Sequence, residues 1–475
     1  MVQNLPVPLD RRVWLECQSL RDAGYRVAVV CPAGPGDPKF QTLDGIDLYK
    51  YEPLPEREGA VAFFRESVYC WLQTAKLSRR AWRRYPFDAM QACNPPDTYW
   101  ALAALWSRRG VRFVYDQHDL NPELFRAKFG RPRGPVKRIE RRILLWLESR
   151  SYRQADHVIA TNASYRLIAL TRGERDVHEV TIVRSGPDTA VMRPIQPLPE
   201  LRAGARHLVV YLGIMGSQDG LDALLRSVRA IVHDQGRRDI HFALLGFGER
   251  LETLRQLVVT LEIDDVVTFT GRADAQLIAR YLSTADLGVC PDQRTVFNDC
   301  STMNKVMEYM AYGLPVVAFD LHESRVSAGD AAEFVESGNV EAFGKAIQGL
   351  LDDPVRRVAM GAIGRARAVS DLDWASESRS YVGVYDDLLC PDLTRLDAES
   401  WPLVDRRSGT AGTEPLTDEW GHEMLDLRSA RGHADHVKAS VKGLSREEPV
   451  DRIEPVDEVD ADDDRSGLGA TVATG

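Results

Sequence analysis

The feature that most constrains this chain is an alternation of short β-branched runs with helix-period segments, repeated in two successive series. "YRVAVVCP" (25–32), "FDAMQAC" (87–93), "VRFVYDQHD" (111–119), "DHVIATN" (156–162) and "VTIVRSG" (180–186) make up the first. After the proline-rich "RPIQPLPE" (193–200) come "HLVVYLG", "IHFALLG", "VVTFTG", "ADLGVCP" and "PVVAF". Near-continuous apolar runs belong to strands covered on both faces, and the segments between them supply the covering helices. The reading is therefore α/β: two Rossmann-like, doubly wound parallel sheets facing each other, with the linker near residue 195. A chain of 475 residues is long enough for two such cores. Ligands of these sheets sit at the carboxyl ends of the strands, so the cleft between the two is the expected site. From about residue 391 the periodicity fails. "REEPVDRIEPVDEVDADDDR" is acidic and proline-broken, and 391–475 is expected to be a disordered acidic tail.

Several function classes are excluded early. A net charge of −10 argues against a general nucleic-acid binder. No run of about 18 uncharged apolar residues is present to span a bilayer. The seven cysteines form no CxxC pair and the N-terminus lacks an apolar signal core, so the expectation is a reducing cytoplasm and no metal site.

"NDCSTMNKVMEYMAYGLPVVAF" (298–319) reads as loop, helix, turn and buried strand. Met303, Met307, Met310 and Ala311 share one helical face, while Gly313 and Pro315 stop the helix. Asn304 and Glu308 stand one turn apart on an adjoining face, at a cleft edge. A carboxylate there can accept hydrogen bonds from the two hydroxyls of a ribose, and Lys305 adds full charge to the positive end of the helix, which suits a nucleotide diphosphate. On spacing alone, a surface ion pair between Lys305 and Glu308 fits equally well.

The segment "STMNKVMEYMAYGLPVVAF", preceded by "GVCPD", resembles the nucleotide-sugar motif of the retaining glycosyltransferases of family 4 (glycosyl transferases group 1), which have the GT-B fold. "NLPVPLDRRVWLECQSLRDAGYRVAVVCP" (4–32), "CNPPD" (93–97), "YDQHDLNPELF" (115–125), "QADHVIAT" (154–161), "YLGIMGSQDGLDALLRSV" (211–228) and "LLGFGERLETL" (244–254) resemble the family's other blocks in order. The resemblance implies an N-terminal acceptor-binding domain (1–192) and a nucleotide-sugar-binding domain (193–371). It also implies a terminal helix (372–390) crossing back to the first domain. Glu308 would hold the ribose hydroxyls, and Ser301, Thr302, Met303, Asn304 and Lys305 would meet the diphosphate and donor sugar. Gly246, Phe247 and Arg272 would border the nucleobase. Gly213 and Gly216 would let backbone amides approach the phosphates, and His118 would stand near the transferred sugar. His118, Lys305 and Glu308 are thus the expected catalytic groups, without metal or cofactor, and with a UDP- or GDP-linked sugar as the donor substrate. The implied activity is hexosyl or N-acetylhexosaminyl transfer to a lipid-linked or polysaccharide acceptor. The alternatives are a nucleotide-sugar 2-epimerase and a non-catalytic nucleotide-sugar-binding protein.

This sequence departs from the family pattern at the glycine loop. Ile214 and Asp219 replace the usual arginine and lysine, and Cys300 replaces a glutamate, so that either Lys305, the helix dipole and Arg184 carry the diphosphate or the site is weakened, the first being the preferred reading. The family's first strand should precede "NLPVP", for which only Met1–Gln3 remain, so the natural chain is expected to begin earlier.

Charge placement adds one further expectation. Lys76, Arg79, Arg80, Arg83 and Arg84 make a basic helical stripe, with Trp71, Leu72, Ala75 and Trp82 as apolar surface beside it. A second cluster comprises Arg126, Lys128, Arg131, Arg133, Lys137, Arg138, Arg141 and Arg142. The first domain is therefore expected to dock on an anionic membrane, making the protein peripheral on the cytoplasmic face.

Overall fold

Strands β1 (Ala28–Pro32), β2 (Phe40–Leu43), β3 (Ile46–Tyr51), β4 (Ala89–Cys93), β5 (Arg112–Gln117), β6 (His157–Ala160) and β7 (Val180–Ile182) build the first half of this computed structural model. The structure describes residues 1–3, 5–54, 60–130 and 134–389. The expected tail at 391–475 lies outside the described residues, as do Arg131 and Arg133. The described residues form one compact unit.

The strands fall into a sheet of order β1-β3-β2 and a parallel sheet of order β4-β5-β6-β7. Met1–Gln3 run between them: the Val2 amide donates to the Val30 carbonyl (3.0 Å), and the Cys93 amide donates to Met1 (3.1 Å). The β2–β3 hairpin carries no continuous apolar run, because polar residues interrupt both strands, Gln41 and Thr42 in β2 and Asp47 and Lys50 in β3. Its Asp44-Gly45 turn takes φ of 48° and 79°, a conformation that such dipeptides favour.

Strands β8 (His207–Ile214), β9 (Ile240–Phe247), β10 (Val267–Gly271), β11 (Leu287–Cys290), β12 (Val316–Phe319) and β13 (Ala332–Val335) form the second sheet, wholly parallel and ordered β10-β9-β8-β11-β12-β13. The direction of winding reverses between β8 and β11, so a crevice opens at their carboxyl ends.

Six helices matter for the site: α1 (Arg11–Asp22), α2 (Ala60–Arg84), α3 (Pro135–Gln154), α4 (Val296–Cys300), α5 (Asn304–Ala311) and α6 (Trp374–Leu389). The Asp10 side chain caps α1 by accepting from the Val13 amide at 3.2 Å. Met303, Met307, Met310 and Ala311 pack into the core on one side of the second sheet, each buried methionine contributing about 2 kcal/mol. α6 returns to the first half, where Trp374, Tyr381, Val384 and Tyr385 share a core with Leu20, Val114, Ile159 and Val183.

The apolar border expected beside the α2 stripe is largely turned inward. Ala75 is buried, and Trp82 packs against Phe87 and Trp106 with ring centroids 5.0 Å apart. An indole has more to gain from an aromatic core than from water. Leu72 stays exposed, as do Lys76, Arg79, Arg80, Arg83 and Arg84.

β8 and β9 approach closely at their ends, where a Cβ added to Gly246 would lie 1.8 Å from the Gly213 carbonyl oxygen. Backbone cannot give way as a side chain can. Gly246→Ala is expected to destabilise the protein by about 2 to 4 kcal/mol, read as a lowered urea midpoint at unchanged m-value.

Candidate functional site

The carboxyl ends of β8 and β11 carry Gly213, Ile214 and, just past the strand, Asp292 to the wall of a cleft of about 640 Å³. The start of α5 adds Asn304, Lys305 and Glu308, and the preceding turn adds Ser301, Thr302 and Met303. From the first half come Asp10, Arg11 and Arg12 at the start of α1, His118 just past β5, and Ser185 and Gly186 past β7.

Lys305 is buried, and its Nζ lies 2.8 and 3.0 Å from the two Asp292 carboxylate oxygens and 3.8 Å from Asp219. Burial opposes the charge, yet Asp292, then Tyr211, Cys290 and Asp219, hold the ammonium well above the usual lysine range. The Nζ also sits 4.9 Å from the centre of the Tyr211 ring. Asp219 is itself pushed upward, chiefly by burial. Its carboxylate accepts from the Gly216 amide at 2.8 Å.

Glu308 forms an ion pair with Arg11 across the cleft. The charge of Glu308 first, then its hydrogen bond, raises the half-exposed Arg11 guanidinium against the partial desolvation of the cleft.

His118 Nε2 lies 2.7 Å from the Asp116 carboxylate and 3.0 Å from Arg12 Nε. Burial opposes its protonation, but Asp116 outweighs it and keeps the imidazole charged well above the usual range. Arg12 is buried and also donates to Ser185 Oγ and the Val183 carbonyl, both at 2.9 Å, while its Nε lies 2.9 Å from Glu16. Burial, then Asp116, pushes the Glu16 carboxyl up to about 8, against the pull of Arg12 and His118. Gln91 bridges the group to α6: its amide nitrogen donates to Glu16 (2.9 Å) and Asp116 (2.8 Å), and its oxygen accepts from Tyr381 (2.6 Å) and Tyr385.

Glu16, Cys93, Asp116 and His118 offer four ligand-type atoms within 4.8 Å of one another, one such group among the described residues. Arg12 already supplies the cation there. Burial also pushes the Cys93 thiol up to about 11, away from the thiolate that a metal would need.

The remaining expected residues are spread more widely. Ser301 and Thr302 line the cleft, but their hydroxyls are engaged with the first half, Ser301 with Tyr165 (3.0 Å) and Thr302 with the Asn162 amide (3.0 Å). Gly246, Phe247 and Arg272 stand outside the cleft lining; the Arg272 guanidinium stacks 4.9 Å over the half-exposed Phe247 ring. Phe247 is in register with Ile214, so this stack borders the rim. Arg184 is not among the lining residues, and its amide bonds Glu377 at 2.8 Å.

Residues 9–186 match the model described as a glycosyl transferase 4-like domain, and residues 206–353 match that of glycosyl transferases group 1. The chain belongs to the group 1 glycosyltransferases.

Over 158 residues the chain is 30% identical to the GDP-mannose-dependent monoacylated alpha-(1-6)-phosphatidylinositol monomannoside mannosyltransferase of Corynebacterium glutamicum, covering 33% of this chain and 40% of that one. Against the D-inositol 3-phosphate glycosyltransferase of Corynebacterium aurimucosum it is 23% identical over 317 residues, 62% of this chain and 70% of that one. The sucrose-phosphate synthase of Thermosynechococcus elongatus superposes with a TM-score of 0.65 at 18% identity, over 82% of this chain and 95% of that one. With its two parallel sheets, this glycosyltransferase has the GT-B fold.

In this group 1 glycosyltransferase, Arg11, Arg12 and Asp292 in the cleft, with Asp116 buried behind it, are the residues that motif reading left without a role. Asp292 closes the quoted "GVCPD", and a carboxylate just past a strand at the switch point was the signal available. Because Lys305 and Asp292 are both buried, removing either strands the other's charge. Lys305→Met is expected to cost about 3 kcal/mol of stability, whereas adding Asp292→Asn to it should recover about 2 kcal/mol, read with both single variants in a double-mutant cycle by chemical denaturation. Additive losses would show that the pair is not coupled.

Proposed function

We propose that this protein transfers a sugar from a UDP- or GDP-linked donor to an acceptor hydroxyl, with retention of anomeric configuration and without a metal. The observation that carries the reading is the convergence of Asn304, Lys305 and Glu308 with His118 in one cleft at the switch point of the second sheet. Glu308 takes the ribose hydroxyls, and the Phe247–Arg272 stack offers the base a flat surface at the rim. A nucleotide sugar already carries a good leaving group, so the protein's task is to orient the acceptor and stabilise charge developing on the departing diphosphate. As the bond from the anomeric carbon to the phosphate oxygen breaks, the acceptor oxygen bonds that carbon on the same face and its proton passes to the phosphate. His118, held charged by Asp116, favours an electron-rich sugar oxygen beside it. An epimerase would need an acid and a base together; of the cleft carboxylates, Asp10, Asp219, Asp292 and Glu308 are engaged with Val13, Gly216, Lys305 and Arg11, which leaves Asp119 by itself.

Thermal-shift screening with UDP- and GDP-sugars tests the reading. A bound donor at 100 times its dissociation constant should add about 2.7 kcal/mol of stability, with EDTA making no difference. Glu308→Ala should raise the donor KM more than it lowers kcat, since ribose contacts persist in the transition state. Isomerised donor without acceptor would favour the epimerase, and donor binding without transfer or hydrolysis would favour a binding protein.

We further propose a lipid-linked acceptor and a place on the cytoplasmic face of the membrane, a reading that the surface of the first half supports. On α3, Val136, Ile139, Ile143 and Trp146 are exposed at helical spacing, with Arg138 and Arg142 exposed beside them. Exposed apolar stripes flanked by cations suit an anionic lipid surface. The relatives are named for phosphatidylinositol mannoside and inositol phosphate acceptors, which supports a lipid-linked acceptor and leaves a soluble polyol phosphate as the second reading. No described helix is long and apolar enough to cross a membrane. Co-sedimentation with anionic vesicles should appear at low salt and weaken at high salt. It should fall when Arg79, Arg80, Arg83 and Arg84 become Glu, and when Ile139, Ile143 and Trp146 become Ser; indifference to both sets would favour the soluble acceptor.

A further inference from the structure

Four basic side chains line the cleft among the described residues: Arg11, Arg12, His118 and Lys305. Three of them are held within their own half of the protein. Arg12 serves Asp116, Ser185 and the Val183 carbonyl; His118 bonds Asp116; Lys305 is clasped by both oxygens of Asp292. Arg11 differs. Its carboxylate partner, Glu308, belongs to the opposite half, and its other bond is to the Met192 sulfur at 3.7 Å, a weak acceptor. The Arg11 side chain is 48% exposed, against 10% for Glu308, so water already shares its charge. Of the cleft's ion pairs this is the one a ligand can open at least cost, because exposed pairs contribute little and buried ones cost much to break.

Opening it leaves a guanidinium in need of an anion. A ribose diol offered to Glu308 competes with Arg11 for the same carboxylate. Of the other groups that could receive a diphosphate, the Gly216 amide holds Asp219 and Lys305 holds Asp292, and only the first turn of α5 is left without a side-chain cap. A diphosphate on the same ligand would therefore supply the anion that Arg11 has lost, and a guanidinium matches phosphate oxygens in bidentate geometry. We propose that donor binding is an exchange of partners: the ribose takes Glu308, and Arg11 turns to the diphosphate as a phosphate-binding residue contributed by the acceptor half. The inference rests on the ribose-binding role of Glu308 stated above. It follows that an uncharged nucleoside is a poor ligand, since it breaks the ion pair and returns nothing to Arg11, while a nucleoside diphosphate both breaks and replaces it.

The test compares uridine and guanosine with UDP and GDP, by calorimetry or NMR titration, on the unaltered protein and on Arg11→Gln and Arg11→Lys. Arg11→Gln should act in opposite directions: the Kd for the preferred nucleoside diphosphate rises about tenfold, while the Kd for the matching nucleoside falls about threefold because Glu308 is free. Arg11→Lys should lie between the two proteins for both ligands. Shifts in the same direction, or no shift in either ligand, would overturn the exchange while leaving the donor site standing. Failure of the unaltered protein to bind either diphosphate would overturn the proposed function, and the exchange with it.

Discussion

Asp116 is the anion around which the first half of the protein is organised. It is buried at the end of β5, and it receives Arg12, His118 and Gln91 from three different segments. Burial alone would raise its carboxyl, yet His118 and Arg12 hold it well below the usual range, so it keeps its charge. Without it, two cationic side chains would face each other at 3.0 Å in a poorly solvated wall, with Glu16 beside Arg12 as the remaining carboxyl. The start of α1, the end of β5 and the cleft surface are thus arranged by one carboxylate, and Gln91 extends its reach to the last described helix.

The cleft is internally satisfied. Lys305 has Asp292, the Gly216 amide has Asp219, Glu308 has Arg11 and His118 has Asp116. Buried polar groups left without partners cost about 1 to 3 kcal/mol each, so a protein that must remain folded between turnovers gains by pairing them. The same economy makes ligand entry a rearrangement of existing bonds, and selectivity then depends on whether an entering molecule can replace every partner it displaces.

The two parallel sheets were legible because apolar runs, helical periods and turn residues agree with one another. Lys305 and Glu308 were legible at a cleft edge from the methionine face of α5, whereas Gly213 and His118, which line the same cleft, were legible through the family resemblance of their segments. Three other features were not. The β2–β3 hairpin carries its signal in an Asp-Gly turn between two short strands that polar residues interrupt, not in an apolar run. Trp82 reads as surface beside a basic stripe, and only the packing of Phe87 and Trp106 shows that it turns inward. The partners of Lys305 and Glu308 lie 13 and 297 residues away, and no local rule specifies a contact set by chain topology.

The place of α6 bears on how the chain assembles as it is made. Val114, Ile159 and Val183 share their core with Trp374, Tyr381, Val384 and Tyr385. The half of the protein that is synthesised first therefore cannot complete its own core until the final described helix has emerged. During that interval its apolar floor and the Gln91 oxygen face water or a chaperone, while the second half, whose six strands are contiguous in sequence, can close by itself. The late helix thus acts as a clasp that ties completion of the earlier half to synthesis of the later one.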